Sequence, residues 1–126
     1  ITGYSLPCLL DVIIRSKIKV DCVLSYCRLT LNDSTLLPKL KLFEELDVPI
    51  INASPVSMGL LTEGSIQEWH PATPEVKQAC QNAVDYCKKQ KVDITKLAVN
   101  YSSSFQEVCI GLDLYININT SFTYAL

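Results

Sequence analysis

Val48-Pro49-Ile50-Ile51-Asn52-Ala53-Ser54-Pro55-Val56-Ser57-Met58-Gly59-Leu60-Leu61 is the stretch on which the fold turns. Its first six residues form a short, nearly continuous apolar run, not an alternating one, which is the pattern of a strand covered on both faces in a parallel sheet. The segment that follows, Ser54 to Leu61, is too apolar for a loop that only meets water. A parallel strand needs crossover connections on either side, so helices are expected both before and after it.

The flanks supply them. Upstream, Leu36, Leu37, Leu40, Phe43 and Leu46 line one helical face, with Asn32, Asp33 or Ser34 available as cap. Pro38 removes a hydrogen bond there and predicts a late start or a kink. Earlier still, Val20 to Ser25 reads as a strand, and Leu6 to Lys17 as a helix carrying Leu9, Leu10, Ile13 and Ile14. Downstream, a long connection from Thr62 ends at Thr73 as N-cap, Pro74 as first helical residue and Glu75 in the positively polarised first turn. That helix turns Val76, Ala79, Cys80, Ala83, Val84 and Cys87 inward, and Lys88 to Lys91 complement its C-terminal dipole. A further helix from Ile94 to Tyr101, capped by Asp93 or Thr95, places Leu97, Ala98 and Tyr101 on one face. Val108 to Ile110 makes the last strand, closed by Gly111, and Leu112 to Asn119 alternates like a strand. The fold class is therefore α/β, with parallel strands and outer helices, in one domain or part of one. No repeat with a period of about 20 to 50 residues is present.

Composition narrows the function. The 126 residues carry a net charge of -2, and their Lys and Arg are scattered apart from Lys88-Lys89-Gln90-Lys91, so nothing tracks a phosphate backbone and nucleic acid is an unexpected partner. Apolar runs fall well short of the roughly 20 residues of a membrane-spanning helix, and no secretory signal pattern is seen. The six cysteines sit in apolar settings, Cys22 and Cys109 in strand-like runs, Cys80 and Cys87 on a helix face, where cysteine acts as a small core hydrophobe. A reducing cytosol is the expected location, and the sequons at Asn32, Asn52, Asn100 and Asn119 are then chance matches. Ile1 in place of an initiator Met, and an apolar end at Ala125-Leu126, suit a processed or truncated chain.

Several pieces in register resemble one family. Ile1-Thr2-Gly3-Tyr4, Val23-Leu24-Ser25-Tyr26-Cys27, Ile51-Asn52-Ala53-Ser54-Pro55 with Met58-Gly59-Leu60-Leu61-Thr62, and Val108-Cys109-Ile110-Gly111 are similar to the ends of strands five to eight of an aldo-keto reductase. Asn32-Asp33-Ser34-Thr35-Leu36-Leu37, Glu68-Trp69-His70-Pro71 and Ile94-Thr95-Lys96-Leu97-Ala98 resemble its L-galactose dehydrogenase branch. The resemblance implies the C-terminal half of a (β/α)8 TIM barrel, in which loops at the strand C-termini build the site. It implies an oxidoreductase passing hydride between NAD or NADP and a sugar or aldehyde. Thr2 and Gly3 would face the nicotinamide carboxamide with Ser25 near it, Ser54, Val56 and Met58 would follow the pyrophosphate, and Ile110 and Gly111 would approach the adenosine. Loop amides would serve as preorganised phosphate donors.

Two departures accompany the match. Ala53 stands where many family members carry an aromatic ring, and Asp113, Asn117 and Ser121 stand where the family usually has Ser or Lys, then Arg or Gln and Asn; this leans towards NAD, because a carboxylate repels a 2′-phosphate, and equally suits a degraded site. The family's catalytic Asp, Tyr, Lys and His belong to strands two to four, so no catalytic residue is expected within this chain, which alone would be inactive. Four strands would also leave two sheet edges and an inner face uncovered.

Blander readings compete. His70 stands in a loop without neighbouring metal ligands, and packing or surface is its expected role. Cys22 and Cys27 form no C-x-x-C pair, and no metal site is expected. Glu44, Glu45 and Asp47 read as a solvated helix end. Tyr4 and Tyr26 either line a sugar pocket or wedge against helices. Ser54 lacks an activating base and suits a phosphate contact better than nucleophilic attack. Besides the enzyme, a non-catalytic nucleotide-binding relative with a regulatory role and an inactive truncated product stand as alternatives.

Overall fold

The structure, a computed structural model, describes residues 1–105 and 108–110, with the backbone alone for Cys109 and Ile110. Gly111 and the alternating stretch Leu112 to Asn119 lie outside the described residues. Four strands, β1 (Thr2–Gly3), β2 (Val23–Tyr26), β3 (Ile50–Ala53) and β4 (Val108–Ile110), form one parallel sheet in the order β1-β2-β3-β4. The register is continuous: Gly3 pairs with Ser25, Ser25 with Asn52, and Asn52 with Ile110. Strand order thus follows chain order without the reversal of a doubly wound sheet, and right-handed crossovers then stack the connecting helices on a single face.

Burial identifies that face. Val23, Ile50 and Val108 pack with Leu6, Leu9 and Leu10 of α1 (Leu6–Arg15) and with Phe43 of α2 (Leu40–Glu45). On the opposite face Leu24 and Ile51 remain half-buried. Successive strand residues alternate between faces, so Gly3, Ser25 and Asn52 share the helix side. A Cβ on Gly3 would sit 3.4 Å from the Leu9 side chain, which shows how closely α1 lies against β1.

Local chemistry explains each helix. Ser5 caps α1 by accepting from the Cys8 N–H at 3.4 Å, Pro7 occupies its first turn and Arg15 its last. Pro38 delays the next helix as expected: a 3-10 turn over Leu37–Lys39 precedes α2. None of the expected caps is used there. Asp33 instead accepts from the Thr35 N–H at 3.0 Å, closing an Asx turn seven residues before α2 begins. The long helix α3 (Pro74–Lys89) has Thr73 as N-cap with Pro74 and Glu75 in place. Its buried face is narrower than expected: Cys80 and Val84 are buried and Cys87 half-buried, while Val76, Ala79 and Ala83 are exposed. The reason is one-sided packing, since in that cluster α3 meets Val56, Leu60 and Leu61, with Ile66 and Ala72 beside them, and α4 (Ile94–Ser103). In α4, Asp93 is the cap, accepting from Thr95 and Lys96 N–H at 2.9 and 3.1 Å. Its buried row is Ile94, Ala98 and Ser102, spaced i, i+4, i+8, whereas Leu97 is 43% exposed against expectation.

Candidate functional site at the strand tips

The C-terminal tips of the strands open into two long loops, and both turn in the same way. Cys27 follows β2 and Ser54 follows β3, at φ +58° and +60° respectively, and these positions are next in register after the Tyr26–Ala53 pair. A left-handed non-glycine residue costs of order 1–3 kcal/mol, and such strain clusters where loops carry function. The Cys27 N–H donates to the Ala53 carbonyl at 3.0 Å and fastens one tip to the other.

The loop after β3 is a tight knot. Ser54 Oγ accepts from the Met58 N–H at 2.8 Å, and the amides of residues 57, 59, 60 and 61 donate to the carbonyls of Ser54, Val56, Ser57 and Val56. Ser57 and Met58 are also left-handed, at φ +52° and +56°, and Gly59 follows at +97°. Five amides in this loop therefore donate within it, and the expected ring of outward phosphate donors is absent at 57–61. Val56 is buried in the cluster with Leu60 and Leu61, so its side chain anchors the loop. Thr95 Oγ1 at the start of α4 donates to the Leu61 carbonyl at 3.3 Å.

His70 proves to be buried and fully engaged. Its Nδ1 accepts from the Ala72 N–H at 3.1 Å and its Nε2 lies 3.1 Å from the Ser57 carbonyl. Because one nitrogen accepts, the other donates, which fixes the neutral Nε2–H tautomer. The ring thus staples residues 57 and 72 together, with Trp69 stacked beside it. This is the packing role; the surface alternative fails.

The loop after β2 is held by different means. Arg28 Nε donates to the Tyr4 carbonyl at 2.7 Å, while its other arm pairs with Asp33 at 2.8 Å. Burial works to raise the Asp33 pKa, but hydrogen bonds from Thr35 and then Arg28 outweigh it, leaving the carboxyl below its ordinary range. Ser57 Oγ donates to Asn32 Oδ1, joining the two loops. Behind them Asn52 Nδ2 and Ser102 Oγ donate to the same Leu29 carbonyl at 2.9 and 2.8 Å.

The sequence-predicted residues are brought onto this rim in part. Thr2 is exposed at the start of β1 in register with Leu24, and Gly3, Ser25 and Ile110 fall in one register row with Asn52. Ser25 is fully buried on the helix side, so its hydroxyl lies across the sheet from Thr2 and Tyr26. Ser25 Oγ and Asn52 Oδ1 find no hydrogen-bond partner among the described residues. Glu44, Glu45 and Asp47 are exposed, and Asp47 pairs with Lys19 away from the tips. The sequence carries no sign of the roles of Arg28 or of the left-handed pair, and Asn32 reads there as a helix cap, not as the link between the two loops.

A parallel singly wound sheet whose strand tips carry the working loops defines a class of α/β protein, and its sequence places it further. The pattern of the Aldo/keto reductase family matches residues 12–110, and the chain belongs to that family. It is 51% identical over 89 residues to the L-galactose dehydrogenase of Arabidopsis thaliana, an alignment covering 71% of the chain and 28% of that relative. It is 32% identical over 112 residues to the D-arabinose 1-dehydrogenase of Saccharomyces cerevisiae, covering 76% of the chain and 33% of the relative. The matched region thus spans a third or less of each of these curated relatives.

Proposed function

We propose that this chain is an arc of a (β/α)8 barrel and carries the cofactor-side loops of an NAD(P)-dependent oxidoreductase acting on a sugar or aldehyde. The observation that carries this reading is the sequential parallel register, which sets Gly3, Ser25 and Asn52 in one row with the Tyr26–Ala53 pair and the Ser54 turn just beyond it along one rim. Active sites of such barrels form at that end. Both relatives named above are dehydrogenases of small sugars by name, in keeping with the same chemistry.

The residues present fit a dinucleotide. Thr2 offers an exposed hydroxyl, and the Ser54–Met58 turn carries no carboxylate, with its Ser54 and Ser57 hydroxyls buried within it. Bound nicotinamide would supply a hydride acceptor and donor. Thr2 and Gly3 would orient its carboxamide end, Ser54, Val56 and Met58 would follow the phosphates through their shape and dipoles, and Ser25 would act from behind the sheet through its strand. Ile110 and Gly111 would approach the adenosine half. The proton donor in this reading belongs to strands other than these four. A cytosolic location accompanies the proposal, in keeping with the reduced thiols of Cys80 and Cys87.

Titrating the purified chain with NADH and NADPH while following nicotinamide fluorescence tests the reading. Binding tighter than about 1 mM, or roughly 4 kcal/mol, is the expected result. Weaker binding of both nucleotides sinks it, and a preference between the two decides NAD against NADP.

A further inference from the structure

Helix α3 carries a second apolar row besides the one it buries. Val76, Ala79, Ala83 and Tyr86 recur at steps of three, four and three residues, the spacing of one seam of a helix pair. All four are exposed, Val76 at 40% and Tyr86 at 65%, whereas Cys80 and Val84 form the row that holds α3 to its own chain. A row of about three turns, with a phenol at one end and an isopropyl group at the other, is thus left in water.

That row complements itself when a copy is laid against it in the opposite direction. Centred midway between Ala79 and Ala83, the antiparallel pair sets Val76 against Tyr86 of the second copy and Ala79 against its Ala83, so the two backbones can approach closely at the waist. Glu75, Asn82 and Lys89, seven residues apart, flank the row on its solvent side. The same alignment brings Glu75 beside Lys89 of the second copy and Asn82 beside its own counterpart on the two-fold axis. Lys88 turns to Glu63 at 3.7 Å, while Lys89 makes no ion pair among the described residues. Asn82 Oδ1 accepts from Gln78 Nε2 at 2.9 Å, and its Nδ2 stays available as a donor. A parallel pair would match neither charge.

We propose that α3 is a self-association surface, on which two copies of this chain pair antiparallel along Val76, Ala79, Ala83 and Tyr86, with a Glu75–Lys89 ion pair at either end. The inference is independent of the cofactor reading, since none of these residues belongs to the strand-tip loops. Two helices in contact over three turns bury less than the roughly 1,200 Å² of a permanent interface, so the dimer is reversible, with a dissociation constant of the order of 0.1 mM.

Sedimentation equilibrium of the chain between about 10 µM and 1 mM tests this, with circular dichroism checking that each variant folds. The average mass of the parent should climb from 14.0 kDa towards twice that value, while Ala83→Glu, at an exposed helical position, should hold it at 14.0 kDa throughout. Glu75→Lys should weaken the dimer about tenfold, because the two-fold axis turns one substitution into two like-charge pairs. Adding Lys89→Glu to it should restore the affinity to within about threefold of the parent. A parent that stays at 14.0 kDa overturns the proposal and leaves α3 to some other partner. A dimer that survives Ala83→Glu overturns it in favour of another surface, such as the sheet edges. A double variant no tighter than Glu75→Lys alone overturns the antiparallel alignment.

Discussion

The apolar cluster around Phe43 draws on three strands, and the cluster around Leu61 draws on none. In the first, Val23, Ile50 and Val108 meet α1, α2 and the loop residues Leu29 and Leu36. In the second, Val56, Leu60 and Leu61 of one loop meet Cys80 and Val84 of α3 and Ile94 and Ala98 of α4. Two helices are thus committed to shaping a loop, while two others cover the sheet. Only α4 serves both, since its Tyr101 packs on the first cluster and its Ala98 in the second. The difference teaches that the loop after β3 is as much a packed object as the sheet, which suits a rim that must hold its geometry.

The comparison can be broken from either end. Phe43→Ala should have the largest effect, about 3–5 kcal/mol by chemical denaturation, because a fully buried ring leaves a cavity between sheet and helix. Leu61→Ala should cost about 2–4 kcal/mol, but amide exchange should quicken over residues 54–73 and α3 and not in β2. Equal quickening in β2 would mean that the two clusters open as one. His70→Phe keeps an aromatic ring, somewhat larger, and strands the Ala72 N–H and the Ser57 carbonyl; a loss of about 1–3 kcal/mol is expected, confined to the second region.

The first region can be sharpened by acid. Asp33 is held below its ordinary pKa, so its contribution is complete above the unfolded carboxyl value, near 3.8, and is lost as pH falls through the lower folded value. Asp33→Asn should flatten that acid limb, and an unchanged limb would show that the Arg28 and Thr35 contacts add nothing. Ser25→Ala should have the smallest effect, within about 1 kcal/mol of the parent, since the hydroxyl removed has no partner among the described residues. A large loss would show that Ser25 satisfies a contact on the sheet's far side after all.

Much of the architecture could be read from residue patterns. The continuous apolar run before Ser54, the Thr73-Pro74-Glu75 start and the delay imposed by Pro38 each rest on local chemistry, and each is found as expected. The failures share a cause in tertiary packing. Periodicity gives the apolar stripe of α3 but not how much of it is covered, so Val76, Ala79 and Ala83 belong to the stripe and yet face solvent. Leu97 falls outside the buried row of α4 because Ser102, a polar residue, completes that row through its bond to Leu29.

The rim was less legible than the sheet. In a four-residue strand the side chain's face depends on register, and a shift of one residue exchanges Ser25 for Tyr26 at the open face. Left-handed turns at Cys27 and Ser54 carry no glycine or asparagine to announce them. His70 was readable only as a loop residue, because its two partners are backbone groups that any sequence possesses.

The Leu29 carbonyl receives donors from Asn52 and Ser102, which lie 23 and 73 positions further along the chain. A single oxygen therefore records whether two distant closures have both happened. Placed there, a carbon-13 label would give one infrared band that steps twice, first when β3 docks and again when α4 arrives, so that the assembly of the whole arc becomes visible at one atom.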